Sequence, residues 1–167
     1  MRAAGIPIGS SAGSAVLLVA SLALVAVVAA VGGGATSRSV GDWYDGLERA
    51  PWNPPSWVFG PAWTVLYILM AVAAWLVGRE GLGDSEVQVA LVLYAIQLTL
   101  NLGWSVVFFG LRRPDLGLLV IVALFIAVAA TAIAFDAVSP LAAWLLAPYL
   151  AWVVFAASLN AWIAFAN

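Results

Sequence analysis

The sequence predicts an all-α membrane protein, a bundle of five transmembrane helices with a long first loop rich in tryptophan and proline. Two features of the composition lead to this fold class: of the 167 residues, 65% are apolar and only 8% are charged. A soluble globular domain has roughly 45–50% apolar and about 25% charged residues. The third feature is that the apolar residues form five runs, each close to the about 20 residues that a membrane-spanning helix needs.

Short polar connections separate these apolar runs, except for the long stretch between the first two. Backbone polar groups in lipid must be hydrogen-bonded internally, and helices of this length satisfy that requirement. Because short connections join the five spans and the sequence shows neither an internal repeat nor a second domain, we expect one transmembrane domain over residues 1–167. The predicted spans cover about residues 12–31, 61–77, 87–109, 116–135 and 141–165.

The first span has two interpretations. As a membrane helix it is expected to end at the three glycines at 32–34. As a secretory signal peptide, it would have Arg2 as the basic residue at its start, the apolar run as its core and the small residues near Ala35 as the cleavage site. The apolar run is longer than the roughly 7–15 residues of a signal peptide, which favours a retained helix.

Charge and residue types exclude several classes of function. Six arginines, no lysine and eight acidic residues give a net charge of −2, which is unsuited to binding nucleic acid. Cysteine and histidine are both absent, which excludes disulfides, thiolate catalysis and the commonest metal ligand. We therefore predict no metal site. No acidic residue lies deep in a span, which argues against a proton-coupled pump.

The first loop combines aromatic residues with proline. Proline fixes φ and lacks an N–H donor, so the loop is expected to be stiff, with Asp42 as the N-cap of a short turn over residues 43–48. Two interpretations stay open: an aromatic belt at headgroup depth, or a cover over a binding pocket. The tryptophans are Trp43, Trp52, Trp57 and, in the second span, Trp63; the prolines are Pro51, Pro54, Pro55 and Pro61.

Polar and aromatic residues share one face of the third span, at offsets typical of a helix. Gln97 and Asn101, near the middle of the membrane, would either hydrogen-bond to neighbouring helices or anchor a ligand. Pro148 predicts a kink in the fifth span, between Trp144 and Trp152. The third-span face comprises Tyr94, Gln97, Asn101, Trp104, Ser105 and Phe108; the second span adds Trp63, Tyr67 and Met70, and the fifth adds Phe155 and Asn160.

These residues resemble the tryptophan-rich sensory protein family, which is the family of the mitochondrial translocator protein. The resemblance covers about residues 14–162 and rests on several sequence blocks in a fixed order. It implies a five-helix bundle, usually a homodimer, with a pocket that opens beneath the first loop. The blocks include WY at 43–44, PWNPP at 51–55, WVFGPAWTVLY at 57–67, FFG at 108–110 and PYLAW at 148–152.

The resemblance implies a receptor or sensor that binds protoporphyrin IX, requires no other cofactor, and regulates porphyrin levels or a stress response. Light- and oxygen-dependent degradation of protoporphyrin IX, with Trp63 and Trp152 as the acting residues, is one alternative. Transport of porphyrins or sterol-like amphipaths is another. The ligand site implied by the family motifs comprises Tyr44, Pro54, Trp63, Tyr67, Asn101, Trp104, Val107, Trp152 and Ala156, to which the polar face of the third span adds Gln97.

Further expectations concern the ligand, the membrane and the partners. Without histidine or cysteine for axial ligation, a metal-free porphyrin is favoured over haem. Besides membrane lipid, the expected partner is a second copy, since the fourth span has small residues at spacings that permit close helix approach. The low charge fits a bacterial cytoplasmic membrane, and residues 160–167 lack the basic residue of a sterol-recognition segment. The small residues are Ala123, Ala127, Ala130 and Ala134.

Overall fold

The computed structural model describes residues 11–41 and 43–167, and this part of the chain contains helices and no strands. Five of the helices are long and apolar enough to cross a membrane, which confirms the predicted five-helix all-α membrane fold. They are α1 (Ser11–Val40), α2 (Phe59–Gly78), α3 (Ser85–Ser105), α4 (Pro114–Val138) and α5 (Pro140–Ala166); a π-helical turn (Val106–Gly110) extends α3, and the first loop contains two 3₁₀ turns (Tyr44–Gly46 and Ser56–Val58).

Local sequence signals explain where three of the helices begin. The side chain of Asp84 accepts a hydrogen bond of 2.7 Å from the backbone N–H of Glu86, and so caps the N-terminus of α3. Helices α4 and α5 each begin with proline, whose missing N–H costs nothing in the first turn. The second, fourth and fifth predicted spans lie within α2, α4 and α5, and the third lies within α3 and its π-helical turn, with ends that differ by a few residues, as is usual for helix termini.

The predicted end of the first span is wrong, because α1 continues through the three glycines to Val40. Each glycine costs a helix only about 1 kcal/mol relative to alanine, and at membrane depth an unravelled backbone would lose its hydrogen bonds. Gly32 also permits close packing: a methyl group there would lie 3.4 Å from the Oγ atom of Ser105 on α3. Within this segment, Thr36 donates a side-chain hydrogen bond of 3.0 Å to the Gly32 carbonyl.

Helix α1 crosses the bundle obliquely. At its beginning it contacts the end of α2, where the indole N–H of Trp75 donates to the Ser14 carbonyl (3.0 Å). Further along, at Gly32, it contacts Ser105 near the end of α3. Helix α1 therefore diverges from the first half of α2, whereas α3, α4 and α5 pack closely in sequence order. The divergence creates space within the bundle.

The first loop, defined here as residues 43–58, is fastened to the end of α5. The indole N–H of Trp52 donates to the Ser158 hydroxyl (3.3 Å), and its ring contacts that of Trp162 edge-on. The Asn167 side chain accepts from the Glu48 backbone N–H (2.9 Å) and donates to the Glu48 carbonyl (3.3 Å). The loop is thereby held over one end of the bundle. The predicted N-cap, Asp42, lies outside the described residues.

Candidate ligand-binding cavity

A cavity of about 900 Å³ lies beneath the first loop, between α1, α2, the end of α3, and α5. Its volume is within the range of about 300–1,000 Å³ that is usual for ligand pockets. None of the described residues that line it is charged, and aromatic rings dominate its walls. The aromatic lining residues are Tyr44, Phe59, Trp63, Tyr67, Trp104, Phe108, Phe109 and Trp152.

The cavity is also open sideways, between α1 and α2. Several lining residues on the facing sides of these two helices are exposed, including Leu22 (38%) and Ile68 (49%). Ala26 and Thr64 likewise line the cavity and are exposed. Because both helices are membrane spans, this side opening faces the hydrocarbon region of the bilayer.

One aromatic cluster of the cavity wall is centred on Trp63 of α2. The Trp63 ring lies 5.5 Å from that of Tyr67 and 6.4 Å, edge-on, from that of Trp152 on α5. Phe59 completes the group, with its ring edge-on to Trp152 at 5.9 Å. The indole Nε1 of Trp152 is buried and has no hydrogen-bond partner among the described residues. Large apolar ring surfaces therefore make up this part of the cavity wall.

A second aromatic cluster is formed by the end of α3 and its π-helical turn. The rings of Trp104 and Phe108 are stacked, 5.4 Å apart and 28° from parallel. Phe109 contacts both of them edge-on, and Tyr44 of the first loop contacts Phe108 and Phe109. π-Helical turns occur frequently at functional sites. Nothing in the sequence pattern predicted this turn.

Asn101 holds two tyrosines together just outside the cavity. Its Oδ1 atom accepts a hydrogen bond of 2.8 Å from the Tyr67 hydroxyl, and its Nδ2 atom donates one of 3.0 Å to the Tyr149 hydroxyl. Asn101 is 1% exposed and does not line the cavity. Of the two interpretations for this residue, the geometry supports hydrogen bonding between helices α2, α3 and α5.

Gln97 lies one turn earlier on α3, in the core. It is 1% exposed, and its Nε2 atom is 4.0 Å from the Met70 sulfur. Its Oε1 atom, like the hydroxyl of the neighbouring Tyr94, is buried without a hydrogen-bond partner in the described part of the chain. Like Asn101, Gln97 does not line the cavity.

The structure brings six of the ten predicted ligand-binding residues to the cavity surface and leaves four away from it. Pro54 is in the first loop, where its carbonyl accepts a hydrogen bond from Asn53, and Val107 is half-buried on the π-helical turn. Trp144 and Pro148 of α5 are exposed on the outside of the bundle, and α5 continues unbroken through Pro148. The six at the cavity are Tyr44, Trp63, Tyr67, Trp104, Trp152 and Ala156; the four away from it are Pro54, Gln97, Asn101 and Val107.

Some lining residues were absent from the predicted site. Phe59 and Phe109 line the cavity, and a search of the loop and span ends for aromatic residues could have found them. Asn160 on α5 lines it too and is 1% exposed. The α1 residues, such as Val25 and Ala29, carry no signal in the sequence because they are small apolar residues in a uniformly apolar helix.

Tyr44 is the main titratable group where the first loop covers the cavity. Burial raises the pKa of its hydroxyl above the ordinary value, and the guanidinium of Arg49, 5.7 Å from the ring centroid, opposes that shift. The neutral hydroxyl is bonded to the Asn53 side chain at 3.1 Å. Arg49 also pairs with Asp45 at 3.5 Å, at an exposed site.

No cluster of three or more potential metal-binding side chains occurs among residues 11–41 and 43–167.

Five helices long and apolar enough to span a membrane, four of which border an uncharged aromatic cavity, define an integral membrane protein. The model of the TspO/MBR family matches residues 20–166, and the chain belongs to that family.

Relatives from bacteria and animals are similar along most of their length. The tryptophan-rich protein TspO of Chlorobaculum tepidum is 48% identical over 125 residues, covering 75% of this chain and 79% of the relative. The translocator protein of Homo sapiens is 46% identical over 119 residues, covering 71% of this chain and 70% of the relative. The tryptophan-rich sensory protein of Cereibacter sphaeroides is 43% identical over 137 residues, covering 80% and 84%.

Proposed function

We propose that this protein binds a flat tetrapyrrole, protoporphyrin IX, and acts as a membrane receptor or sensor that regulates porphyrin levels or a stress response. The observation that carries the proposal is the cavity of about 900 Å³ with two aromatic clusters in its wall. Aromatic faces bind flat apolar ligands by stacking, and removal of a large apolar surface from water supplies most of the affinity.

The polar groups of the cavity suit a metal-free ligand. Haem iron is most often held by histidine or cysteine, and this chain has neither; the two tyrosines of the cavity, Tyr44 and Tyr67, use their hydroxyls in hydrogen bonds to Asn53 and Asn101. Hydroxyl groups line the cavity instead: that of Ser56 is able to donate a hydrogen bond to a propionate group, whereas those of Thr36 and Thr64 donate to the carbonyls of Gly32 and Gly60.

The predicted site residues take two roles in this proposal. Tyr44, Trp63 and Tyr67, together with Trp104, Trp152 and Ala156, contact the porphyrin because they form the cavity surface. Asn101 acts indirectly, by holding Tyr67 in place. Gln97, Pro54 and Val107 support the surrounding core and loop. A homodimer and a bacterial cytoplasmic membrane remain predictions.

The decisive experiment is a titration of the purified protein with protoporphyrin IX in the dark, followed by tryptophan fluorescence. The wild type is expected to saturate near one ligand per chain. Trp152→Ala should weaken binding about tenfold, since a lost aromatic stack is worth about 0.5–1.5 kcal/mol beyond the area it buries. Trp144→Ala is the matched control, because Trp144 is on the same helix but 74% exposed, away from the cavity.

Non-saturating quenching, equal to that of an unrelated membrane protein, would mean that the porphyrin only partitions into the detergent. Equal weakening by Trp144→Ala and Trp152→Ala would place the binding site elsewhere. Either result would contradict the proposal.

Light- and oxygen-dependent degradation of the bound porphyrin is the second candidate function. The observation that favours it is that Trp63 and Trp152 both line the cavity with ring centroids 6.4 Å apart, where either ring can exchange electrons with a bound pigment. Changing both tryptophans to phenylalanine should preserve binding in the dark and abolish the loss of porphyrin absorbance under light. Undiminished product formation by the double variant would refute the role.

A further inference from the structure

Asn160 connects three helices behind one wall of the cavity. Its Oδ1 atom accepts a hydrogen bond of 3.0 Å from the indole N–H of Trp104 on α3. Its Nδ2 atom donates one of 2.7 Å to the carbonyl of Pro114, the first residue of α4. Asn160 itself is on α5, lines the cavity, and is 1% exposed.

The partners of Asn160 fix the orientation of its amide. An indole N–H only donates and a backbone carbonyl only accepts, so the oxygen must point to Trp104 and the nitrogen to Pro114. A flipped amide would bring two donors together at one end and two acceptors at the other. Both ends of the side chain are thus engaged by the protein, and the amide is a fixed part of the wall.

Helix α4 packs closely against the Asn160 side chain at Gly117. A methyl group at Gly117 of α4 would lie 3.0 Å from the Asn160 Oδ1 atom and 3.2 Å from the Phe108 ring. Glycine is therefore needed for α4 to approach this closely. Trp104, 8% exposed, is confined between its hydrogen bond to Asn160 and its stack with Phe108.

We infer that Asn160 is a positioning residue, which fixes the indole of Trp104 against Phe108 in the cavity wall, so that the wall favours a flat aromatic ligand over a puckered aliphatic one. An indole held in one orientation makes its aromatic contact with a ligand ring without further ordering, whereas a puckered aliphatic ligand has no aromatic ring to gain from it. The inference rests on the proposed function for the identity of the planar ligand. The positioning itself is a property of the protein without ligand.

The binding test compares a planar with a puckered apolar probe, protoporphyrin IX and cholesterol, on the wild type and on Asn160→Leu. The variant should lose about tenfold in porphyrin affinity, as expected when one aromatic stack is disordered, and less than about twofold in cholesterol affinity. Thr131→Val is the matched control, since it removes a buried polar group of α4 that does not line the cavity and should leave both affinities unchanged.

A second readout needs no ligand. In protein labelled with ¹⁵N-tryptophan, the nine indole groups give separate N–H signals, and the Trp104 signal is identified by its loss in Trp104→Phe. In Asn160→Leu this signal should shift and its hydrogen should exchange faster with solvent. On a Trp104→Phe background, Asn160→Leu should cause little further loss of porphyrin affinity, because residues that act as a unit are not additive.

The outcomes separate the inference from the proposed function. If the wild type shows no saturable porphyrin binding, the proposed function fails, and the Trp104 indole signal alone decides the positioning. An unchanged Trp104 signal in Asn160→Leu overturns the inference, as does an equal loss of affinity for both probes. Should Asn160→Leu not fold, Gly117→Ala, which presses on the Asn160 oxygen, is expected to give the same changes in signal and selectivity.

Discussion

Single polar residues inside this membrane bundle serve to join helices. The spacing along the third span predicted that Tyr94, Gln97, Asn101 and Trp104 share one face, and all four are buried. The partners of Asn101 could not be predicted, because Tyr67 is 34 positions away in the sequence and Tyr149 is 48. Whether a buried amide contacts a hydroxyl group or a ligand depends on how the neighbouring helices are rotated about their axes. The periodicity of a single helix does not predict that rotation.

The hydrogen bonds of Asn101 lead to a prediction about stability. Asn101→Leu leaves the hydroxyls of Tyr67 and Tyr149 without their amide partner, so the free energy of unfolding should fall by about 1–3 kcal/mol. Gln97→Leu should cost less, since the Gln97 oxygen has no partner among the described residues. Thermal unfolding in detergent, followed by circular dichroism, measures both. Equal losses of stability in the two variants would contradict this account.

At the scale of helices and loops, apolar length predicted the existence of all five spans and composition predicted a separate first loop. The extension of α1 past its glycines was missed, because glycine is a helix breaker only where the backbone has another partner, and lipid offers none. The π-helical turn was missed because it depends on how Phe108 and Phe109 pack against Trp104 and Tyr44.

The two interpretations of the first loop apply to different tryptophans. Trp43 packs edge-on against Phe108 (5.7 Å) and Trp52 against Trp162 (5.3 Å), as expected for a cover. Trp57 is 75% exposed, as expected for a residue at the membrane interface. The sequence alone does not distinguish these tryptophans, because their side chains are identical. Their roles differ because they make different contacts with α3 and α5.

At the scale of the whole molecule, the oblique path of α1 produces both the cavity and its side opening. Helix α1 meets α2 at Ser14 and Trp75 but leans towards α3 at Gly32, so the two spans separate beside the cavity. The first loop, in contrast, is fastened to α5 through Glu48 and Asn167. An apolar ligand dissolved in the bilayer thus has an open path between α1 and α2, whereas a path from water is covered.

The side opening predicts how the ligand reaches the site in a lipid bilayer. Ala26→Trp places a bulky ring in the opening and should slow porphyrin association several-fold, whereas Val31→Trp, also exposed on α1 but on a different face of the helix from Ala26, should not. Asn167→Ala, which removes one of the two attachments of the first loop to α5, should leave the rate unchanged. Stopped-flow tryptophan quenching in nanodiscs measures these rates. Faster association in Asn167→Ala together with no effect of Ala26→Trp would show that the ligand passes under the loop instead, because only then would the fastening of the loop limit the rate.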